Sequence, residues 1–147
     1  MLLPDKPSSG SLPRHAALPT DPVLFEALGL HARKIRCEED RTLFAQGDGP
    51  IGLYLVRSGI VQAVVHADDG SPAAIFHADP GAVLGLPAVA SNQPYSLSAL
   101  ARQGSDIAFL SKDDFNDLLQ EQPALCLVVQ RVLAAEVQAA REALANS

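Results

Sequence analysis

Ile51-Gly52-Leu53-Tyr54-Leu55-Val56 and Ile60-Val61-Gln62-Ala63-Val64-Val65 are two apolar runs on either side of Arg57-Ser58-Gly59, and a third, Ala73 to Phe76, follows the turn Asp68-Asp69-Gly70. Three short runs joined by turn chemistry predict a β-meander. The same punctuation continues outward through Gly47-Asp48-Gly49-Pro50 and Asp79-Pro80-Gly81, so that from Arg33 to Leu100 short apolar segments alternate with turn residues. Strands at such regular spacing imply a sandwich or roll.

The chemistry differs at both flanks. Asp21-Pro22, followed by Val23, Leu24, Phe25, Ala27 and Leu28 before Gly29, combines an N-cap acid, proline at the first helical position and helical apolar spacing. Ser111 with Asp114 three residues on reads as a variant capping box opening a helix to about Leu119. A longer helix is expected from Gln122-Pro123 to near the C-terminus, with Cys126, Val129, Leu133, Val137, Ala140 and Leu144 at steps of three or four. Its distal half is expected to reach beyond a small β domain, which makes Val129, Leu133, Val137, Ala140 and Leu144 the candidate seam of a homodimer.

With 147 residues, one ordinary domain is expected. The reading divides it into a flexible Pro- and Ser-rich tail (1–20), a β-roll with short flanking helices (21–120) and a C-terminal dimerisation helix (121–147). The class is mainly β with flanking helices. A formal net charge of −6 disfavours direct nucleic-acid binding, which draws on clustered lysine and arginine. No apolar run in residues 1–20 is long enough for a signal-peptide core, so neither secretion nor a membrane partner is indicated and a cytoplasmic location is expected. Cys37 and Cys126 are too few for a disulfide framework or an iron–sulfur cluster, and the dispersed His15, His31, His66 and His77 fit no metal-ligand spacing. No nucleophile–base motif or phosphate loop is present, so no enzyme activity and no catalytic residue are expected.

Leu43-Phe44-Ala45-Gln46-Gly47-Asp48, then Leu53 to Val61, then Pro80-Gly81 with Gly85 beyond a short strand, resemble the cyclic-nucleotide-binding domains of CRP/FNR-type regulators. The joint spacing of Gly47, Gly59, Gly81 and Gly85, with a long helix after them, carries the resemblance, which covers about Phe25 to Leu144. It implies a double-stranded β-helix, or jelly-roll, acting as the effector domain of a signalling regulator. In that family a winged helix-turn-helix follows the long helix; this sequence stops at Ser147, so no DNA-binding domain is expected in it.

The resemblance also places the family's phosphate-binding cassette at Gly85 to Ser98. The candidate ligand-binding residues are Gly85, Leu86, Pro87, Pro94, Tyr95, Ser96 and Ser98. Leu86 stands where the family has a glutamate for the ribose hydroxyl, and Tyr95 where it has an arginine for the cyclic phosphate. A phenol offers one neutral donor in place of a bidentate cation, so cyclic AMP is not expected to bind in the usual way. The amides after Asn92 and at the start of the cassette helix, with the hydroxyls of Tyr95, Ser96 and Ser98, suggest an anion-binding nest for a small or anionic effector. The other expectation is a structural dimerisation or protein-interaction module whose vestigial pocket is filled by Leu86 and Tyr95. No cofactor is implied with certainty; a cyclic nucleotide is the candidate the resemblance offers, and haem through His77 is conceivable but has no support in the sequence.

Overall fold

The computed structural model describes residues 16–145. Two sheets form the roll. One has five strands in the order β1 (Ala16–Ala17), β6 (Pro72–Ala78), β5 (Val61–His66), β8 (Ser98–Ala101) and β3 (Arg41–Phe44); the other has four, β2 (Arg33–Arg36), β9 (Asp106–Ser111), β4 (Gly52–Ser58) and β7 (Val83–Leu84). All pairs are antiparallel except β1 with β6. This is the expected jelly-roll, with eight antiparallel strands and a C-terminal helix.

The expected meander is only half present. β5 and β6 form a hairpin across Asp68-Asp69-Gly70, but β4 and β5 lie in different sheets: β4 pairs with β9 and β7. Gly59 makes this crossover, with φ at 102°, where a Cβ would collide with Ser105. The Ser105 hydroxyl takes the Ile60 amide at 3.1 Å and donates to the Ile60 carbonyl at 3.2 Å, satisfying the main chain as it leaves one sheet for the other.

α1 (Pro22–Gly29) starts as its sequence dictates, with Asp21 accepting from the Leu24 amide at 3.0 Å. α3 (Lys112–Glu121) is capped by Ser111, which accepts from Asp114 N at 3.1 Å. Between them α2 (Leu86–Ser91) follows β7, and α4 (Leu125–Ala145) closes the fold. One apolar cluster fills the roll interior around Phe44, Tyr54, Phe76 and Ile107. A second packs α1, α3 and α4 onto the outer face of the β4–β9 sheet around Leu24, Leu53, Leu110 and Phe115. No helix among the described residues is long and apolar enough to cross a membrane.

Both ends depart from expectation. Residues 1–15 of the expected flexible tail lie outside the described residues, but Ala16–Thr20 fold back onto the roll. β1 pairs with Phe76 and His77, the Leu18 amide donates to the His77 carbonyl at 3.0 Å, and Thr20 bridges to Ala82. The proximal part of α4 is seated on the domain through Leu125, Val128, Val129 and Val132, while Cys126, the first residue of the expected stripe, is exposed. Val129 is therefore core. Leu133 and Ala140 pack against the two clusters, Val137 is 53% exposed, and the side chain of Leu144 lies outside the described residues.

Candidate functional site

The segment read as a phosphate-binding cassette runs from β7 through α2 to β8. Gly85 caps α2 in the left-handed region, φ 89°, and a Cβ there would meet the Tyr95 ring at 3.0 Å and the Gly52 carbonyl at 3.2 Å. Glycine is thus required both by the turn and by how tightly Tyr95 is held. At the other end of α2, Asn92 is also left-handed, and its amide donates to the Ala88 carbonyl.

Tyr95 is the centre of this arrangement. Its ring stacks on Phe44 with centroids 4.1 Å apart, and the residue is only 3% exposed. Its hydroxyl donates to the Gly52 carbonyl at 2.7 Å and accepts from the amides of Gly52 and Ile51, each at 3.2 Å. One donation and two acceptances saturate a phenol, so it has nothing left to offer a ligand. Its main chain clasps the 47–48 turn as well, with Gly47 N donating to Tyr95 O and Tyr95 N to Asp48 O, both at 2.9 Å.

The amides after Asn92, one part of the expected anion nest, are turned inward. The amides of Asn92 and Gln93 donate to the Ala88 carbonyl and that of Tyr95 to Asp48, so these donors are already engaged within the chain. The Ser98 Oγ accepts from Gln46 N at 2.8 Å, which leaves its own O–H free to donate. Leu86 does not fill the pocket: it is fully buried on the opposite side, in the cluster with Leu24, Leu53 and Phe115. Pro94 is exposed and lines no cavity described for this region. Gly85, Pro87, Tyr95 and Ser96 do come together, around a remnant of about 30 Å³. That is room for a water or two, far below the several hundred Å³ of an ordinary ligand site.

Two residues outside the predicted site complete it. Leu18 is buried among Phe44, Leu84, Ala88 and Tyr95, with the strand pairing of β1 placing it in the roll interior. A lone leucine among prolines carries no periodic signal in sequence. Glu136 on α4 lines both the remnant and an adjoining apolar cleft of about 250 Å³ between α4 and the roll. Burial pushes its carboxyl up to about 7. The signal for Glu136 was its place in register: with Leu133 and Ala140 it forms steps of three and four along the apolar stripe.

Among the described residues the remaining titratable groups form no centre. His77 and Asp79 are 3.7 Å apart and both well exposed, and among the described residues no group of three His, Cys, Asp or Glu converges. Burial raises the Cys37 thiol above its ordinary range, which makes it a poor nucleophile.

A family model described as the cyclic nucleotide-binding domain matches residues 34–122, more than half of the chain. Among solved structures, the chain is similar to the catabolite activator protein of Thermus thermophilus, with TM-score 0.66 and 25% identity over 84% of this chain and 56% of that one. It is also similar in fold to the N-terminal domain of a transcriptional regulator from Streptomyces coelicolor A3(2), with TM-score 0.62 and 20% identity over 86% and 88% of the two chains. A curated relative, patatin-like phospholipase domain-containing protein 6 of Pongo abelii, is 28% identical over 93 residues, which are 63% of this chain and 7% of that protein.

Proposed function

The chain belongs to the cyclic nucleotide-binding domain family, and from that membership we propose that it is a non-catalytic regulatory module whose effector is not held by a phosphate grip. The observation that carries this reading is Tyr95. At the position the family resemblance assigns to the phosphate-binding arginine stands a buried phenol whose hydrogen bonds all run to the chain's own residues. Leu18 supports the same reading by occupying the roll interior beside it. A cyclic nucleotide would have to displace both side chains without the cation that rewards displacement in the family.

A hydrogen bond to a charged group contributes roughly 1.5–3 kcal/mol, so the loss of two weakens binding by about two orders of magnitude or more. Calorimetric titration of the full chain with cyclic AMP, cyclic GMP and cyclic dinucleotides tests this. Only weak binding or none is expected, and submicromolar affinity for any of them would overturn the reading.

Homodimerisation along α4 is a second part of the proposal. Ala134 and Val137 lie three residues apart and are both exposed, which leaves an apolar strip along a helix whose proximal part is seated on the roll, with Val137 at the rim of the cleft beside it. Paired helices would give the module a route for passing a change in the roll to a partner protein.

A further inference from the structure

We propose that the cleft between α4 and the roll is a binding site for a small amphiphilic organic cation, its apolar body lying between the two walls and its ammonium group paired with Glu136. The inference rests on the reading above, that the effector is not gripped through phosphate, and adds the chemical class of the effector.

The cleft has the shape and composition for such a guest. One wall is the roll, with Leu18, Val65, Phe76 and Leu97; the other is α4, with Leu133 and Ala140. The half-exposed Val137 stands at its edge, so the cleft opens to solvent beside the helix. About 250 Å³ exceeds the roughly 150 Å³ that accommodates benzene in an engineered protein cavity. A six-carbon chain or a phenyl ring with a short arm is of that size.

Charge decides the class. Glu136 is the one charged residue among those that line the cleft. On its own helix the residues one turn away are Val132, Leu133, Ala139 and Ala140, all uncharged, and among the residues lining the cleft and the adjoining remnant the other titratable group is Tyr95. Burial alone acts on the carboxyl, with no cation or donor among the described residues to offset it. An ionised carboxylate in apolar surroundings repels a phosphate and gains most from a counter-ion brought in with its own apolar cover. An ammonium with a hydrocarbon body supplies both.

The test is a calorimetric or NMR titration of the full chain with hexylammonium, hexanol, hexanoate and cyclic AMP, in phosphate buffer at pH 6 and pH 8. Hexylammonium is expected to bind saturably and more tightly than hexanol, with hexanoate weakest. Its affinity is expected to rise about tenfold from pH 6 to pH 8, because the guest keeps its proton throughout while Glu136 passes from mostly neutral to mostly ionised. Glu136→Gln is expected to weaken hexylammonium roughly tenfold or more and to flatten the pH dependence, leaving hexanol unchanged. Equal binding of hexylammonium and hexanol, an unchanged affinity in Glu136→Gln, or no saturable binding of the ammonium would overturn the proposal. Tight cyclic AMP binding in the same series would instead overturn the reading on which it rests.

Discussion

The Tyr95 hydroxyl donates to the carbonyl of Gly52 at 2.7 Å and accepts the amide of the same residue at 3.2 Å, across 43 positions of sequence. The pair joins the end of the cassette to the first residue of β4, so a residue that the resemblance assigns to ligand contact works here as an internal cross-link. Tyr95→Phe keeps the ring stacked on Phe44 and removes only the hydroxyl. It is expected to lower stability by about 1–3 kcal/mol, because buried main-chain groups lose their partner. Chemical denaturation of the two proteins checks this, and an unchanged midpoint would show the cross-link to be immaterial.

Restoring the family's charged residues is expected to fail at one of the two positions. Leu86 is fully buried in the cluster that packs the helices onto the outer sheet. Leu86→Glu would place a carboxylate there without a partner, at a cost on the order of 3 kcal/mol or more. A soluble variant with a native denaturation midpoint would mean that this side chain can turn to the other side.

Gly59→Ala is expected to be among the most damaging single-methyl changes in the chain. The residue has φ at 102° and its new Cβ would drive into Ser105, whose hydroxyl holds both main-chain groups of Ile60. A loss above about 2 kcal/mol is expected from strain and broken hydrogen bonds together. Gly70→Ala serves as the control in a thermal melt: it has a positive φ of 87° but open space around it, so it should cost distinctly less.

Stability is expected to fall as pH rises from about 4.5 through 7. Glu136 holds its proton up to about 7 in the folded chain but releases it near 4.5 when unfolded, so across that window the folded state binds more protons. Its contribution is fully present below the lower value and lost above the higher one, with a span on the order of 2–3 kcal/mol at most. Asp40 and Asp69 act with the opposite sign. Hydrogen bonds from Gln103 and Arg102 and from Ser71 hold them below the ordinary carboxylate range, so their contribution is lost only as pH falls through that range. Denaturation midpoints at pH 5, 6, 7 and 8 should slope in the wild type and lie nearly flat in Glu136→Gln.

Val137→Glu is expected to convert a dimer into a monomer without unfolding it, since the native side chain is already 53% exposed. In a two-fold pair the substitution sets two like charges across one seam. Light scattering should report the halved mass while circular dichroism stays near native. A wild type that is monomeric at high micromolar concentration would set the pairing aside.

Turn and cap chemistry were legible in the sequence because they are local. Asp21, Ser111 and the Asp68-Asp69-Gly70 turn each act through neighbours a few residues away, and each does what its sequence context dictates. Pairing between sheets was not legible: nothing in the run from Ile51 to Val65 distinguishes a hairpin from a crossover, and Ser105, which completes the crossover, lies 45 positions from Ile60. The cassette was located by the resemblance, but the directions of its side chains were not. The resemblance assigns Leu86 and Tyr95 to one pocket, yet the structure turns the first outward to the helices and the second inward to Phe44.

The pairing of β2 with β9 and of β3 with β8 sets the order in which this chain can fold. Ile35 meets Ile107, and Thr42 meets Leu100, partners separated by roughly 60–70 residues, so each closes a long loop before its contacts are gained. Folding is therefore expected to be slow for a domain of this size. On the ribosome the first strands must wait with unpaired edges until residues near Ser111 have emerged. Until then β2 and β3 depend for their solubility on Arg33, Lys34, Arg36 and Arg41, the charges that line them.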